Sequence, residues 1–362
     1  MDLIRKDFGR GLEQIMSKRI VKLIGYTFQH HYQLLDAYDD SNSIRHLSKD
    51  FQMILIGKFN TVEPAFFGDE KKATIFLPAR WNTDQIINFI KDLSPDIIHM
   101  HGNHNWKEYP VCAKAFKNNL KAKLIFSPAG PSCGTEEFLS YFDTIIVNHS
   151  LQVKRMKCPS YKVVIRKRSA DPEIFYPINN SKKKFDFVYV AGFVPGKRID
   201  LMIDYVIHTP YNMVVLGDFA RTANHYREIR LTIKNRGLED QIFLHDFIEQ
   251  TKISKFLSKC KIWVWPGGIK PENPETLTNR SVIEALACGM PILAGMRAFN
   301  NSEFLVDGFN GFRYETKNEF ITYSNILIDA FGVFGENSKE LNDMEFDFQE
   351  NFVDFYNNLY GS

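Results

Sequence analysis

Short apolar or β-branched runs alternate with longer stretches of three- and four-residue apolar spacing along nearly the whole chain, the pattern of strands alternating with covering helices. A first series predicts strands at Ile20–Gly25, Gln52–Ile56, Asp96–Met100, Lys123–Ser127, Thr144–Val147 and Lys162–Ile165. A second predicts them at Phe185–Ala191, Met213–Gly217, Gln241–Leu244, Ile262–Trp265 and Pro291–Ala294. Two series imply two doubly wound α/β sheets. Between them, Asp171-Pro-Glu-Ile-Phe-Tyr-Pro177-Ile-Asn-Asn-Ser-Lys-Lys-Lys184 has the prolines and polar residues of a linker. The expected division is residues 1–177, 178–345 and a terminal segment 346–362. At the other end Ile4, Phe8, Leu12 and Ile15 form a helical stripe, and residues 1–15 are expected to be an extension ahead of the first strand.

Composition agrees with two folded bodies. A chain of 362 residues exceeds what one core usually organises. Its 44% hydrophobic and 24% charged residues exclude a disordered polymer. The five cysteines, Cys112, Cys133, Cys158, Cys260 and Cys288, form no C-x-x-C pair, which argues against a zinc or redox motif and fits a reducing cytoplasm. No run reaches the length that spans a bilayer, and the start lacks the pattern of a signal peptide. Net charge is only +2, yet residues 151–184 hold ten lysines and arginines against Asp171 and Glu173. That stretch reads either as solvated surface or as a contact for an anionic acceptor, a membrane surface or nucleic acid.

The chemistry concentrates in the second half. Trp265-Pro-Gly-Gly and, after it, Glu275-Thr-Leu-Thr-Asn-Arg-Ser-Val-Ile-Glu284-Ala-Leu-Ala-Cys-Gly289 read as strand, loop, helix and glycine stop. A helix opening at Asn279, Arg280 and Ser281 presents unsatisfied N–H donors to the loop, a natural site for phosphate. Ser281 and Glu284 also have the spacing of a capping box, a purely local alternative. A second glycine-bearing loop follows the first strand of this half: Val190-Ala-Gly192-Phe-Val-Pro-Gly196-Lys197-Arg198. There the backbone can approach a ligand and two cations can meet a diphosphate.

These segments resemble retaining GT-B glycosyltransferases, in particular glycosyltransferase family four. Glu275 and Glu284 resemble that family's E-x7-E pair, whose first carboxylate contacts the donor sugar and whose second holds the nucleotide ribose. Eight residues, not seven, separate them here. Gly192, Lys197 and Arg198 resemble the G-R-x-x-x-x-K-G/R diphosphate loop, with Phe193 where the arginine belongs and Arg198 as the substitute charge. Leu216-Gly217-Asp218 and Phe243-Leu-His-Asp-Phe247 fall where the family reads the nucleobase, and Asp307-Gly308-Phe-Asn-Gly311 resembles its D-G-x-N-G turn. In the first half Pro95-Asp-Ile-Ile-His99-Met-His101-Gly102 resembles the strand end P-D-x-x-H-x-H-G. His101, at the end, is the candidate to reach a cleft, while Ala129 stands where a further histidine is usual.

The resemblance implies a GT-B fold, two Rossmann-like domains facing a cleft, closed by a C-terminal helix crossing back to the first domain. It implies transfer of a sugar, with retention, from a nucleoside-diphosphate sugar to a glycan or lipid-linked acceptor. The nucleotide sugar, UDP-linked by family habit, is a co-substrate, and no cofactor is called for. Lys197, Glu275 and His101 are the expected catalytic groups; Gly192, Lys197, Arg198, Asn279, Arg280, Ser281 and Glu284 are the expected donor site. No D-x-D triplet occurs, so activity is expected without a divalent metal. Alternatives are a glycosylated nucleic-acid base as acceptor, a sugar-nucleotide 2-epimerase, and a non-catalytic nucleotide-sugar binder.

Overall fold

Strands flanked by helices on both faces must be apolar throughout, and segments such as Met53–Ile56 and Ile262–Trp265 are buried at every position. The computed structural model describes residues 18–28, 45–47, 51–59, 65–68, 72–78, 80–102, 108–128, 134–153, 160–179, 181–219, 223–266, 280–295 and 303–362. The expected N-terminal helix and the extension 1–15 lie outside them. The chain divides into two units, residues 1–167 with 352–362, and residues 168–351.

In the first unit, strands β1 (Lys18–Phe28), β2 (Phe51–Phe59), β3 (Ala65–Gly68), β4 (Lys72–Pro78), β5 (Ile97–Gly102), β6 (Lys123–Pro128), β7 (Thr144–Val147) and β8 (Val163–Ile165) form one sheet. Its order is β3-β4-β2-β1-β5-β6-β7-β8, parallel except for β3 against β4. Helices α1 (Thr83–Asp92), α2 (Glu108–Asn119) and α3 (Glu136–Ser140) lie between strands in the chain. Asn82 and Gln85 close a capping box at the start of α1, and Ile86, Phe89 and Ile90 are its buried side.

The second unit has β9 (Phe185–Val190), helix α4 (Ile199–Val206), β10 (Met213–Leu216), α5 (Ala223–Asn235), β11 (Ile242–His245), α6 (Gln250–Leu257) and β12 (Cys260–Trp265). After these come α7 (Arg280–Ala287), β13 (Ile292–Gly295), β14 (Gly311–Tyr314), α8 (Lys317–Asp329) and α9 (Phe331–Glu345). All six strands are parallel, in the order β11-β10-β9-β12-β13-β14. Renumbered within the unit this is 3-2-1-4-5-6, the doubly wound order whose ligand crevice lies at the carboxyl ends of the first and fourth strands. Here those strands are β9 and β12.

The unit boundaries depart from the linker reading. Ala170, Ile174 and Phe175 are buried with the second core, so the division falls at 167/168 and not at 177/178. The last segment belongs to the first unit from Phe352 onward. Helix α10 (Phe355–Gly361) is held at its carboxyl end by lysines: Lys18 Nζ donates to the carbonyls of Tyr360 (3.2 Å) and Gly361 (2.6 Å), and Lys123 Nζ to that of Leu359 (3.3 Å). Cations there satisfy orphan carbonyls and complement the helix dipole.

Close approach requires glycine at positions 217 and 311. A Cβ on Gly217 would stand 2.2 Å from the Ala191 carbonyl oxygen, and one on Gly311 1.8 Å from that of Ile292. Gly311 therefore does more than permit a turn: it lets β14 lie beside β13, whereas Gly308, at φ +78°, supplies the positive φ. Gly217→Ala is expected to force the ends of β9 and β10 apart and cost about 1–3 kcal/mol. The check is a denaturant midpoint that falls at unchanged slope; an unaltered midpoint would show that the loops yield freely.

Candidate donor site at the ends of β9 and β12

The loop after β9 is drawn tight at both ends. Ala191 N–H donates to Leu216 O (3.0 Å) and Val194 N–H to Gly192 O (2.8 Å). Gly192 is exposed, and a Cβ there would meet nothing within 4 Å. A 3-10 turn, Pro195–Lys197, follows, and Arg198 joins it to α4 at φ +49°, ψ +44°. Among the described residues only Ser94 and Arg198 are non-glycine residues at positive φ. That conformation costs a side-chain-bearing residue about 1–2 kcal/mol. The strain falls on the second of the two expected diphosphate cations, whose Nε lies 3.4 Å from an Asp200 carboxylate oxygen.

Arg198→Gly separates backbone from charge. The melting temperature is expected to hold or rise, because glycine adopts this φ without strain, while nucleoside diphosphate binding weakens about 10- to 150-fold with loss of one charge-assisted bond. Equal affinity in R198G would remove Arg198 from the site.

Lys197 is fixed from two sides. Its carbonyl accepts a 2.5 Å hydrogen bond from Tyr189 Oη on β9, and its ammonium lies 5.1 Å from the Trp265 ring centroid. Such a cation–π contact contributes about 0.5–2 kcal/mol, the larger value when desolvated. Burial pushes the Tyr189 phenol well above its ordinary range, so it stays protonated and remains a donor. Phe193, at the position where the resemblance calls for arginine, is fully buried against Phe219 and Tyr226, with centroids 5.3 and 5.4 Å away. It is a core residue.

Helix α7 approaches from β12. Val282, Ile283, Ala285, Leu286 and Ala287 bury its apolar side, and Gly289 at φ +67° ends it, with Met290 N–H donating to Ala285 O (3.0 Å) and Gly289 N–H to Leu286 O (2.9 Å). Ser281 lies inside the helix, and its hydroxyl donates to Val190 O at the end of β9 (3.3 Å). Ser281 thereby ties α7 to β9. Glu284 is only 5% exposed, and Arg280 Nε lies 3.5 Å from its Oε1. A carboxylate in that position depends on charged or hydrogen-bonding partners to compensate its desolvation. Glu275 and Asn279 lie outside the described residues.

The neighbouring strand ends are also tied. Asp246 Oδ1 accepts from the backbone N–H of Phe219 (3.1 Å) and of Phe247 (2.7 Å), joining the loops after β10 and β11 where a base was expected to be read. In the first unit His101 is the penultimate residue of β5, which with β1 flanks that sheet's own reversal of order. Its backbone carbonyl accepts from Tyr109 Oη (2.7 Å) and its residue is half-buried. His99, two residues earlier on the same strand face, is fully buried, with Nδ1 2.7 Å from Tyr360 Oη and Nε2 2.7 Å from Ser127 Oγ.

Part of the basic stretch serves the fold. Lys162 Nζ donates to Phe142 O (2.9 Å), Lys183 Nζ to Ser258 O and Cys260 O (both 3.0 Å), and the Arg166 guanidinium is buried 5.2 Å from the Tyr356 ring centroid. Lys154, Arg155 and Lys157 lie outside the described residues. Among the described residues no helix is long and apolar enough to cross a membrane.

Residues 171–326, which contain both loops and α7, match the family model described as glycosyl transferases group 1. A curated relative, an uncharacterised glycosyltransferase of Methanocaldococcus jannaschii, is 23% identical over 257 residues, covering 68% of this chain and 63% of that protein. Sucrose-phosphate synthase of Thermosynechococcus elongatus superposes with a TM-score of 0.71 at 13% identity, over 95% of this chain and 99% of that one. HepE of Anabaena, in a complex with UDP and glucose, gives 0.70 at 14%, over 95% and 100%. The fold is thus the two-sheet α/β GT-B fold.

Proposed function

We propose that the protein transfers a sugar from a nucleoside-diphosphate sugar to an acceptor hydroxyl. What supports this reading is that the loop carrying Lys197 and Arg198 follows β9 and that α7, with buried Glu284, follows β12, the two strands at which the sheet order reverses. Lys197 and Arg198 would neutralise the departing diphosphate, with the N–H donors of α7 adding to them. Glu284 would accept the ribose hydroxyls, and Glu275 would orient the sugar. His101 would be a further catalytic group. A hexosyl group on UDP and a glycan or lipid-linked saccharide as acceptor are the favoured substrates, supported by the UDP and glucose in the HepE complex.

The transfer would proceed with retention. The bond from the anomeric carbon to the diphosphate oxygen breaks, a bond from the acceptor oxygen forms on the same face, and the acceptor proton passes to the departing phosphate oxygen. Stabilising that leaving group needs cations, and this chain offers them as side chains. Activity is therefore expected to persist in excess chelator; complete loss, restored by Mn²⁺, would contradict the metal-independent reading.

The test is product analysis with UDP-sugars against a panel of saccharide and lipid-linked acceptors. An α-linked product from an α-linked donor supports retaining transfer. Epimerised nucleotide sugar formed without acceptor, or binding with neither transfer nor hydrolysis, would replace it with an epimerase or a binding module. Transfer to DNA whose binding weakens steeply with salt would move the acceptor class.

A further inference from the structure

Two aromatic residues outside the expected site hold both ends of Lys197. Tyr189 Oη donates to its carbonyl (2.5 Å), Trp265 lies under its ammonium (5.1 Å), and the two rings pack edge-on with centroids 5.9 Å apart at 78°. Neither ring is free to drift. The Trp265 carbonyl accepts from Tyr314 Oη (2.8 Å), and its indole stacks on Trp263, with centroids 5.8 Å apart at 26°. β9 and β12, which carry the pair, are adjacent parallel strands. Phe193, buried in the core, brings no charge to the loop.

We propose that Tyr189 and Trp265 are positioning residues that preset the Lys197 ammonium for the diphosphate, a reading that rests on the donor function proposed above. A lysine on an exposed turn samples many rotamers, and a cation that must wait for its rotamer stabilises a leaving group poorly. Fixing the carbonyl sets where the side chain leaves the turn; the indole face sets where it ends. The pair thus does for one lysine what a second, forked cation would otherwise do by geometry.

A double-mutant cycle tests this, with calorimetric binding of UDP and of uridine and with melting temperatures for every variant. Trp265→Leu is expected to weaken UDP about 5- to 30-fold while leaving uridine within about 2-fold, with Trp265→Tyr recovering most of the loss. Tyr189→Phe, which removes only the hydroxyl, is expected to weaken UDP about 3- to 10-fold. In a Lys197→Met background both substitutions should change UDP affinity by less than about 2-fold, because the group they position is gone. Equal losses with and without Lys197, or parallel losses for UDP and uridine, would overturn the positioning role and leave the donor reading standing. Failure of the parent protein to bind UDP or any other nucleoside diphosphate would overturn both.

Discussion

Lys197→Met is expected to lower kcat by about 10²- to 10³-fold, the effect of removing one preorganised group from a site where charge develops. The cause is the timing of the charge. On the proposed reading the diphosphate would be shared in the ground state with solvent and with Arg198, whereas at the transition state the departing oxygen would gain charge beside Lys197. KM for the nucleotide sugar should therefore rise much less than kcat falls. Methionine keeps an unbranched apolar stem of nearly the same length, so the fold is not the variable. Initial-rate kinetics with a nucleotide sugar and a saturating acceptor check this; a rise in KM with unchanged kcat would make Lys197 a binding group only.

Glu284→Gln is expected to weaken UDP by about 10- to 150-fold, the worth of a charged hydrogen bond at about 1.5–3 kcal/mol. Glutamine has nearly the same volume and its amide can still meet Arg280. The buried surroundings of α7, with Val282, Ile283 and Ala285 beside it, are left unchanged. Free pyrophosphate, which has no ribose, should bind E284Q as it binds the parent. If instead E284Q lowers the melting temperature and leaves UDP affinity intact, the carboxylate serves the helix and not the nucleotide.

Much of this fold was legible because parallel strands buried on both faces are written as unbroken apolar runs, and Gln52–Ile56, Thr144–Val147 and Met213–Gly217 were recognised on that basis. Three strands were not. β3 (Ala65–Gly68) and β4 (Lys72–Pro78) form an antiparallel edge with β4 starting at a lysine and ending at a proline. β14 (Gly311–Tyr314) is four residues emerging from a turn, with only its first and last residues buried. Its placement depends on the contact of Gly311 with Ile292, which no local pattern records.

The candidate site is legible where it rests on chain-local chemistry. Gly192, Lys197, Arg198 and Glu284 were identified from loops and a helix start, and the strand order brings those segments to one crevice. Tyr189 and Trp265 were not singled out for any role with Lys197. An aromatic residue within a strand reads as core, and only the parallel pairing of β9 with β12 makes these two neighbours. Ser281 shows the same limit: its spacing to Glu284 is local, whereas its contact with Val190 O spans 91 residues of sequence.

The central claim is that the crevice at the ends of β9 and β12 holds a nucleoside diphosphate. Thermal unfolding of the full chain with UDP, GDP, ADP and the corresponding nucleosides tests it most directly. One diphosphate is expected to stabilise the protein by about 2.7 kcal/mol at 100 times its dissociation constant. Its nucleoside should do far less, and the stabilisation should be diminished in both Lys197→Met and Glu284→Gln. No shift with any nucleoside diphosphate, or an equal shift in both variants, would contradict the account.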